Sequence, residues 1–336
     1  MPERALITGI TGQDGAYLAQ LLLDKGYEVF GTYRRLSTPN FWRLRYLDIF
    51  DRVKLLPADL LDPSSLQRAV AIAAPDEVYN MAAQSFVSLS FEQPIADFSV
   101  TGSGVARLLE VIRLHDPSIK FYQASTSELY GNGAQISQSE DAVFHPSSPY
   151  AAAKLYGYWI TRFYRDHHGM YACNGILFNH ESPLRGLEFV TRKISNAVAR
   201  IYMGLDKELT LGNLAAKRDW GYAPEYVKAM WLMLQQDKPD DYVVATGEAH
   251  PVEEFVVKAF EFAGLNWKDY VRTDSQFRRP VDVSYLQGDN SKARSQLGWE
   301  PVVKFARLVE IMVSEDIRRW EKWKRGEYSH WDAFNY

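Results

Sequence analysis

The sequence predicts an α/β protein: a doubly wound parallel sheet with a smaller, mainly C-terminal α/β domain for substrate. Three observations carry this. Residues 4–25 run strand, glycine-rich turn, helix. Strand and helix patterns then alternate to about residue 178, with loop lengths that suit parallel crossovers. From about residue 187 the alternation loosens into short helices and isolated strands. The expected division is 1–186 for a cofactor-binding domain carrying the catalytic residues and 187–325 for the substrate domain, with some of its elements returning to the first. Residues 326–336 form a polar, aromatic tail. At 336 residues, 46% hydrophobic and 24% charged, the chain can bury a sizeable core.

A net charge of −4 gives no support for binding nucleic acid or an anionic membrane. The single cysteine, Cys173, excludes an intrachain disulfide and a cysteine-rich zinc site. It points to a reducing, cytoplasmic setting, and no metal is expected. No apolar run approaches the ~18 residues of a membrane span. Met-Pro-Glu-Arg enters a strand pattern at once, so no signal peptide is expected.

The first strand, residues 4–9, runs into Gly9-Ile10-Thr11-Gly12-Gln13-Asp14-Gly15 and then an amphipathic helix to Lys25. Glycines at this spacing let backbone approach a pyrophosphate, and the N–H groups at the helix start receive its charge. The second strand, residues 28–32, ends at Tyr33-Arg34-Arg35. An NAD enzyme usually places a carboxylate near this point, whereas two guanidinium forks suit the 2′-phosphate of NADP. A third strand, residues 53–58, is closed by Asp59 and Leu60, at a position suited to an adenine contact. Asp62 caps the next helix, which runs to about Ala74. The fourth strand runs from Glu77 into Met81-Ala82-Ala83 and then Gln84-Ser85. Small residues at a strand's carboxyl end leave room for a ligand in the crevice of a parallel sheet.

A helix over roughly 94–114 precedes the fifth strand, residues 120–125, which delivers Thr126, Ser127 and Glu128 to the same edge as the glycine turn. Ser148-Pro149 starts a long helix carrying Tyr150 and Lys154. Four residues apart on a helix, both side chains share a face, and an ammonium there would lower the phenol's pKa. Cys173 lies in a sixth strand, residues 173–178, as a core residue. Beyond it come the polar loop 179–186 and three basic features: Thr191-Arg192-Lys193, Lys217-Arg218 and Arg278-Arg279. Three such features converging on one cleft would suit a phosphate-rich substrate. A final amphipathic helix covers about 305–323.

These features together resemble the extended short-chain dehydrogenase/reductase family, with its Rossmann-type sheet, and within it the GDP-mannose 4,6-dehydratases. The resemblance runs from about residue 4 to 320 and rests on the order of its blocks. They are GITGQDG at 9–15, NMAAQS at 80–85, QASTSELYG at 123–131, SPYAAAKLY at 148–156, GILFNHESPLRG at 175–186, FVTRK at 189–193, LGN at 211–213 and KRDWG at 217–221. The chain departs from the family pattern at Ala96, Thr101 and Ser147, where many members carry tyrosine, an acidic residue and arginine.

The resemblance implies NADP, recycled within each turnover, a GDP-mannose substrate and the product GDP-4-dehydro-6-deoxy-mannose. It implies Tyr150 as base at the sugar 4-hydroxyl, Lys154 beside it, Thr126 on the 4-oxygen and Glu128 for loss of water. It places His180 and Arg185 on the cofactor side. Ser85, Ser127, Asn179, Val190, Lys193, Arg218 and Arg279 fall on the substrate side. It also implies a homotetramer in which the Arg34–Arg35 loop approaches a neighbouring cofactor site. Glu128 separates the candidate reactions, since a 4-epimerase needs only the tyrosine, the hydroxyl and the cofactor. The alternatives are a dehydratase or 4-keto reductase for another nucleotide-hexose and, more distantly, a non-catalytic NADP-binding protein.

Overall fold

The computed structural model describes residues 2–38, 40–133, 136–274, 276, 281 and 283–327. The strands are β1 (Arg4–Thr8), β2 (Glu28–Tyr33), β3 (Lys54–Pro57), β4 (Glu77–Asn80), β5 (Lys120–Ala124) and β6 (Ala172–Leu177). They continue with β7 (Asn179–Glu181), β8 (Leu209–Leu211), β9 (Lys217–Tyr222), β10 (Tyr242–Val244), β11 (Ala249–Pro251) and β12 (Val271–Thr273). The main sheet has the order β10-β6-β5-β4-β1-β2-β3, and its pairs are parallel throughout. The strand order reverses between β1 and β4, which opens a crevice at their carboxyl ends.

Alternation along the strands puts side chains on both faces. Ala5 and Ile7 join a core with helices Gln13–Asp24 and Ala223–Leu234. Leu6, Val78 and Phe121 join another with helices Pro63–Ala73 and Ser103–His115. Cys173 is fully buried in β6, and burial pushes its thiol up to about 12, so it packs as an apolar residue. Strand β10 and helix Ala223–Leu234 lie on the main sheet although they come late in the chain.

Beside this body, β11-β9-β7 and β12-β8 form two small sheets. A separate core joins helices Val190–Tyr202, Val252–Phe262 and Phe305–Lys324. Among the described residues, no helix is long and apolar enough to cross a membrane.

The expected single helix over 94–114 is instead a short helix Pro94–Asp97, a π-helical turn Phe98–Gly102 and a helix Ser103–His115. Gly102 accounts for the break. A Cβ there would sit 2.8 Å from the Phe98 ring and 3.3 Å from the Ala153 carbonyl, so the widened turn lies directly on the Tyr150–Lys154 helix. The caps conform to expectation. Asp62 accepts Ser64 N–H at 3.0 Å, and Ser148 accepts Ala151 N–H at 3.1 Å ahead of Pro149.

Candidate active site

Gly9 leaves β1 at φ +68, and a Cβ there would lie 3.0 Å from the Ala82 backbone. A Cβ on Gly15 would lie 2.6 Å from Gly9 O and 2.7 Å from Ile10 Cα, so no side chain fits. Gly12 caps helix Gln13–Asp24 without a side-chain hydrogen bond. Its own N–H goes to Gly9 O at 3.0 Å. The helix's first N–H groups therefore face an open cradle of backbone, which fits the pyrophosphate of a dinucleotide. Ile10 is fully buried beneath the turn, and Arg43 donates to Thr11 O at 3.2 Å and to Leu184 O at 2.7 Å. Arg43 is a support that no local signal marked.

Gln13 and Asp14 reach away from the cradle and lock it to the far side of the site. Gln13 Nε2 donates to His180 O at 3.1 Å, and Ser182 Oγ donates to Gln13 Oε1 at 2.7 Å. Both ring nitrogens of His180 face acceptors, Phe178 O at 2.7 Å and Asp14 Oδ2 at 2.8 Å, which favours the imidazolium form. Burial opposes that charge, but the Asp14 carboxylate outweighs it and the His180 pKa is raised. Burial likewise opposes the Asp14 charge, yet His180 holds that carboxyl down at about 2. The ring stacks on Tyr226 at 4.7 Å.

A buried polar rung at the strand ends supports this edge. Thr8 Oγ1 donates to Asn80 Oδ1 at 2.6 Å, and Asn80 Nδ2 donates to Gln123 Oε1 at 2.8 Å. Ala82 N–H reaches Thr8 Oγ1 at 3.2 Å, tying Met81-Ala82-Ala83 to β1. Gln84 is bonded within its own turn to Phe86 N and O, and Ser85 is exposed. Arg34 and Arg35 are exposed just past β2. Past β3, Asp59 Oδ1 accepts Leu61 N–H at 2.9 Å and Leu60 is buried.

The catalytic candidates meet beyond β5. Thr126 Oγ1 accepts Glu128 N–H at 3.2 Å, and its hydroxyl lies near enough to the Tyr150 phenol to favour the phenolate. Lys154 Nζ donates to Ala124 O at 2.7 Å and lies 5.9 Å from the centre of the Tyr150 ring. Burial brings Lys154 down to about 8, against the pull of Asp97 and Asp14. Burial and then the Glu128 charge push the Tyr150 phenol up, while the Thr126 hydroxyl and Arg185 act the other way. From the sequence a phenol lowered by Lys154 is expected. In the protein by itself burial and the Glu128 charge raise it instead, and Lys154 is not among the main influences on it.

A cleft of about 530 Å³ opens from this point, and Glu128, Asn179, Arg185, Val190, Lys193 and Arg218 all line it. Lys193 donates to Thr210 O at 2.8 Å, and Arg218 to Lys217 O at 2.9 Å. Two of the three basic features therefore converge. Arg192, the residue before Lys193, is fully buried against Asp316 instead. Arg278 and Arg279 lie outside the described residues. Ser127 is 2% exposed and does not line the cleft. One wall is aromatic and absent from the sequence reading. Arg185 stacks 3.6 Å over Phe189, pairs with Glu181 at 3.2 Å, and Phe189 meets Phe86 edge-on at 6.2 Å. Phe86 and Phe189 are 103 residues apart in the chain, so only the fold brings them together.

A family model described as GDP-mannose 4,6 dehydratase matches residues 6–312. GDP-mannose 4,6 dehydratase 2 of Arabidopsis thaliana is 55% identical over 323 residues, covering 93% of this chain and 86% of its own. GDP-mannose 4,6 dehydratase of Homo sapiens is 49% identical over 338 residues, covering 93% of this chain and 91% of its own. Among solved structures, the dTDP-glucose 4,6-dehydratase DesIV from Streptomyces venezuelae, with NAD and TYD bound, matches with a TM-score of 0.83 at 24% identity. That match covers 97% of this chain and 98% of the other, and shows a shared fold.

Proposed function

The chain belongs to the GDP-mannose 4,6-dehydratase family, hydro-lyases that convert GDP-mannose to GDP-4-dehydro-6-deoxy-mannose and water, and we propose which of its residues do this and that NADP is the cofactor. The family uses a bound nicotinamide cofactor, which when bound supplies the hydride acceptor and donor. The observation that carries the residue assignment is the meeting of Thr126, Glu128 and Tyr150 at the mouth of a cleft that also holds Lys193 and Arg218.

Tyr150, once ionised, takes the proton of the sugar 4-hydroxyl while Thr126 holds that oxygen, the C4 hydride would go to the bound cofactor, and Lys154 keeps a positive charge beneath them. A ketone at C4 makes the C5 proton acidic. Glu128 removes it and passes a proton to the 6-hydroxyl, which leaves as water. The hydride that the reduced cofactor would return to C6, with a proton at C5 equal in number to the one Tyr150 removed, would complete the product. Lys193, Arg218 and Arg279 would hold the nucleotide diphosphate, with Ser85, Ser127, Asn179 and Val190 around the sugar and base. His180 acts from behind, through Asp14, by fixing the glycine turn.

NADP is supported by the two exposed arginines at the end of β2. A homotetramer is supported by the exposed aromatic face of the Tyr150 helix, where Tyr156, Trp159 and Phe163 are 39%, 52% and 43% exposed. A cytoplasmic setting is supported by the single, buried thiol.

Incubated with GDP-mannose, the purified protein is expected to give a nucleotide sugar one water lighter with a ketone at C4. Absence of turnover with cofactor bound would overturn the reading. Replacing Arg34 and Arg35 by alanine is expected to weaken NADP binding roughly tenfold or more, the worth of one charge-assisted contact, and to leave NAD binding nearly unchanged. Equal losses for both cofactors would remove the 2′-phosphate assignment.

A further inference from the structure

Asp97 closes the short helix Pro94–Asp97 and is 1% exposed. Its Oδ1 accepts the Thr101 hydroxyl at 3.1 Å, and Thr101 Oγ1 in turn accepts Gln84 N–H at 3.1 Å. Its Oδ2 is buried and has no hydrogen-bond partner among the described residues. A half-satisfied buried carboxylate is a costly group to retain unless a charge faces it. The π-helical turn after Asp97 presses on the Tyr150 helix at the level of Lys154. A Cβ on Gly102 would meet Ala153 O at 3.3 Å, and one on Gly157 would meet Thr101 O at 3.7 Å. Lys154 is 5% exposed and has a single acceptor among the described residues, Ala124 O, for its three N–H groups.

We propose that Asp97 is a positioning residue of the reaction, whose buried carboxylate, oriented by Thr101, keeps the Lys154 ammonium charged and directed at the Tyr150 edge. Asp97 carries no contact with the cleft, so it acts only through Lys154. The charges around the pair come from several elements. The charges of Asp97 and Asp14 act on Lys154, while those of Glu128, Asp97 and Arg185 act on Tyr150. Asp97 favours the lysine cation and disfavours the tyrosine phenolate. Removing its charge therefore eases deprotonation of both groups and moves both titrations to lower pH. Asp97 and Thr101 are one helical turn apart on one face, so exchanging them keeps a carboxylate–hydroxyl pair beside Lys154.

This rests on the proposed reaction, and the deciding readout needs no turnover. In the full-length protein labelled at lysine 13Cε, with Lys154→Arg used for assignment, the Lys154 signal is expected to titrate near 8. In Asp97→Asn its midpoint is expected to fall by roughly one pH unit. In Asp97→Thr/Thr101→Asp it should stay within about half of that shift of the parent. The pH–kcat profile of Asp97→Asn should move as a whole to lower pH, whereas a purely structural role would lower its height and leave its limbs in place. An unmoved Lys154 midpoint in Asp97→Asn overturns the proposal. Should that variant not fold, a downward shift in the double exchange as large as the predicted one overturns it. A protein inactive on GDP-mannose with the expected Lys154 shifts counts against the reaction and not against this role.

Discussion

Glu128→Gln is expected to bind cofactor as the parent does and to lose water roughly 10²–10⁴-fold more slowly, the usual worth of a general acid or base. The carboxylate sits in the short turn Ser127–Leu129, lines the cleft and is anchored through its own N–H to Thr126. Glutamine keeps that backbone bond and the side-chain volume, but it cannot take a proton from C5. The substitution also removes a negative charge that pushes the Tyr150 phenol up. Oxidation at C4 should therefore be preserved or eased while elimination stalls. Single-turnover absorbance of the reduced nicotinamide is expected to rise and persist, with product release slowed. A parent rate of product formation would refute the role, and so would loss of the oxidation step alone.

Arg192→Met is expected to destabilise the protein by about 3–5 kcal/mol, because it breaks a fully buried ion pair from one side. Arg192 and Asp316 are both 0% exposed. Arg192 Nε lies 3.0 and 2.9 Å from the two Asp316 oxygens, and its Nη1 donates to Pro183 O and Arg185 O at 2.9 and 2.8 Å. Ser195 Oγ donates to Asp316 at 2.6 Å, and Arg319 Nη1 bonds Pro183 O at 2.8 Å. The network pins the loop that presents Arg185 to the two helices behind it. Methionine fills comparable space but leaves Asp316 with only Ser195 and the more distant Arg319, and takes the Arg192 donor from the Arg185 carbonyl. Urea unfolding at neutral pH measures the loss, and a change under about 1 kcal/mol would show that the pair is not load-carrying.

Much of the fold was legible because its signals are local. The glycine turn, the Asp62 and Ser148 caps and the buried strands each follow from backbone geometry and a short apolar period. The helix expected over 94–114 failed for a tertiary reason: Gly102 lets the turn widen where it meets Ala153, and nothing within the segment announces that neighbour. Helix Val87–Glu92 was equally hidden, since six residues give too little periodicity to read.

The sequence by itself determined the parallel α/β class, the glycine turn after β1 and the helical pairing of Tyr150 with Lys154, because each is set by residues within a turn or two of one another. Only the tertiary structure decided which charges act at the site. Arg192 and Lys193 are adjacent in sequence, yet the roughly 100° rotation per helical residue sends one into the core and the other into the cleft. His180 is bound to Asp14 across 166 residues, and Asp97 lies buried against the helix that carries Lys154. Such pairings depend on strand order and on which helix faces meet, and no local pattern encodes them.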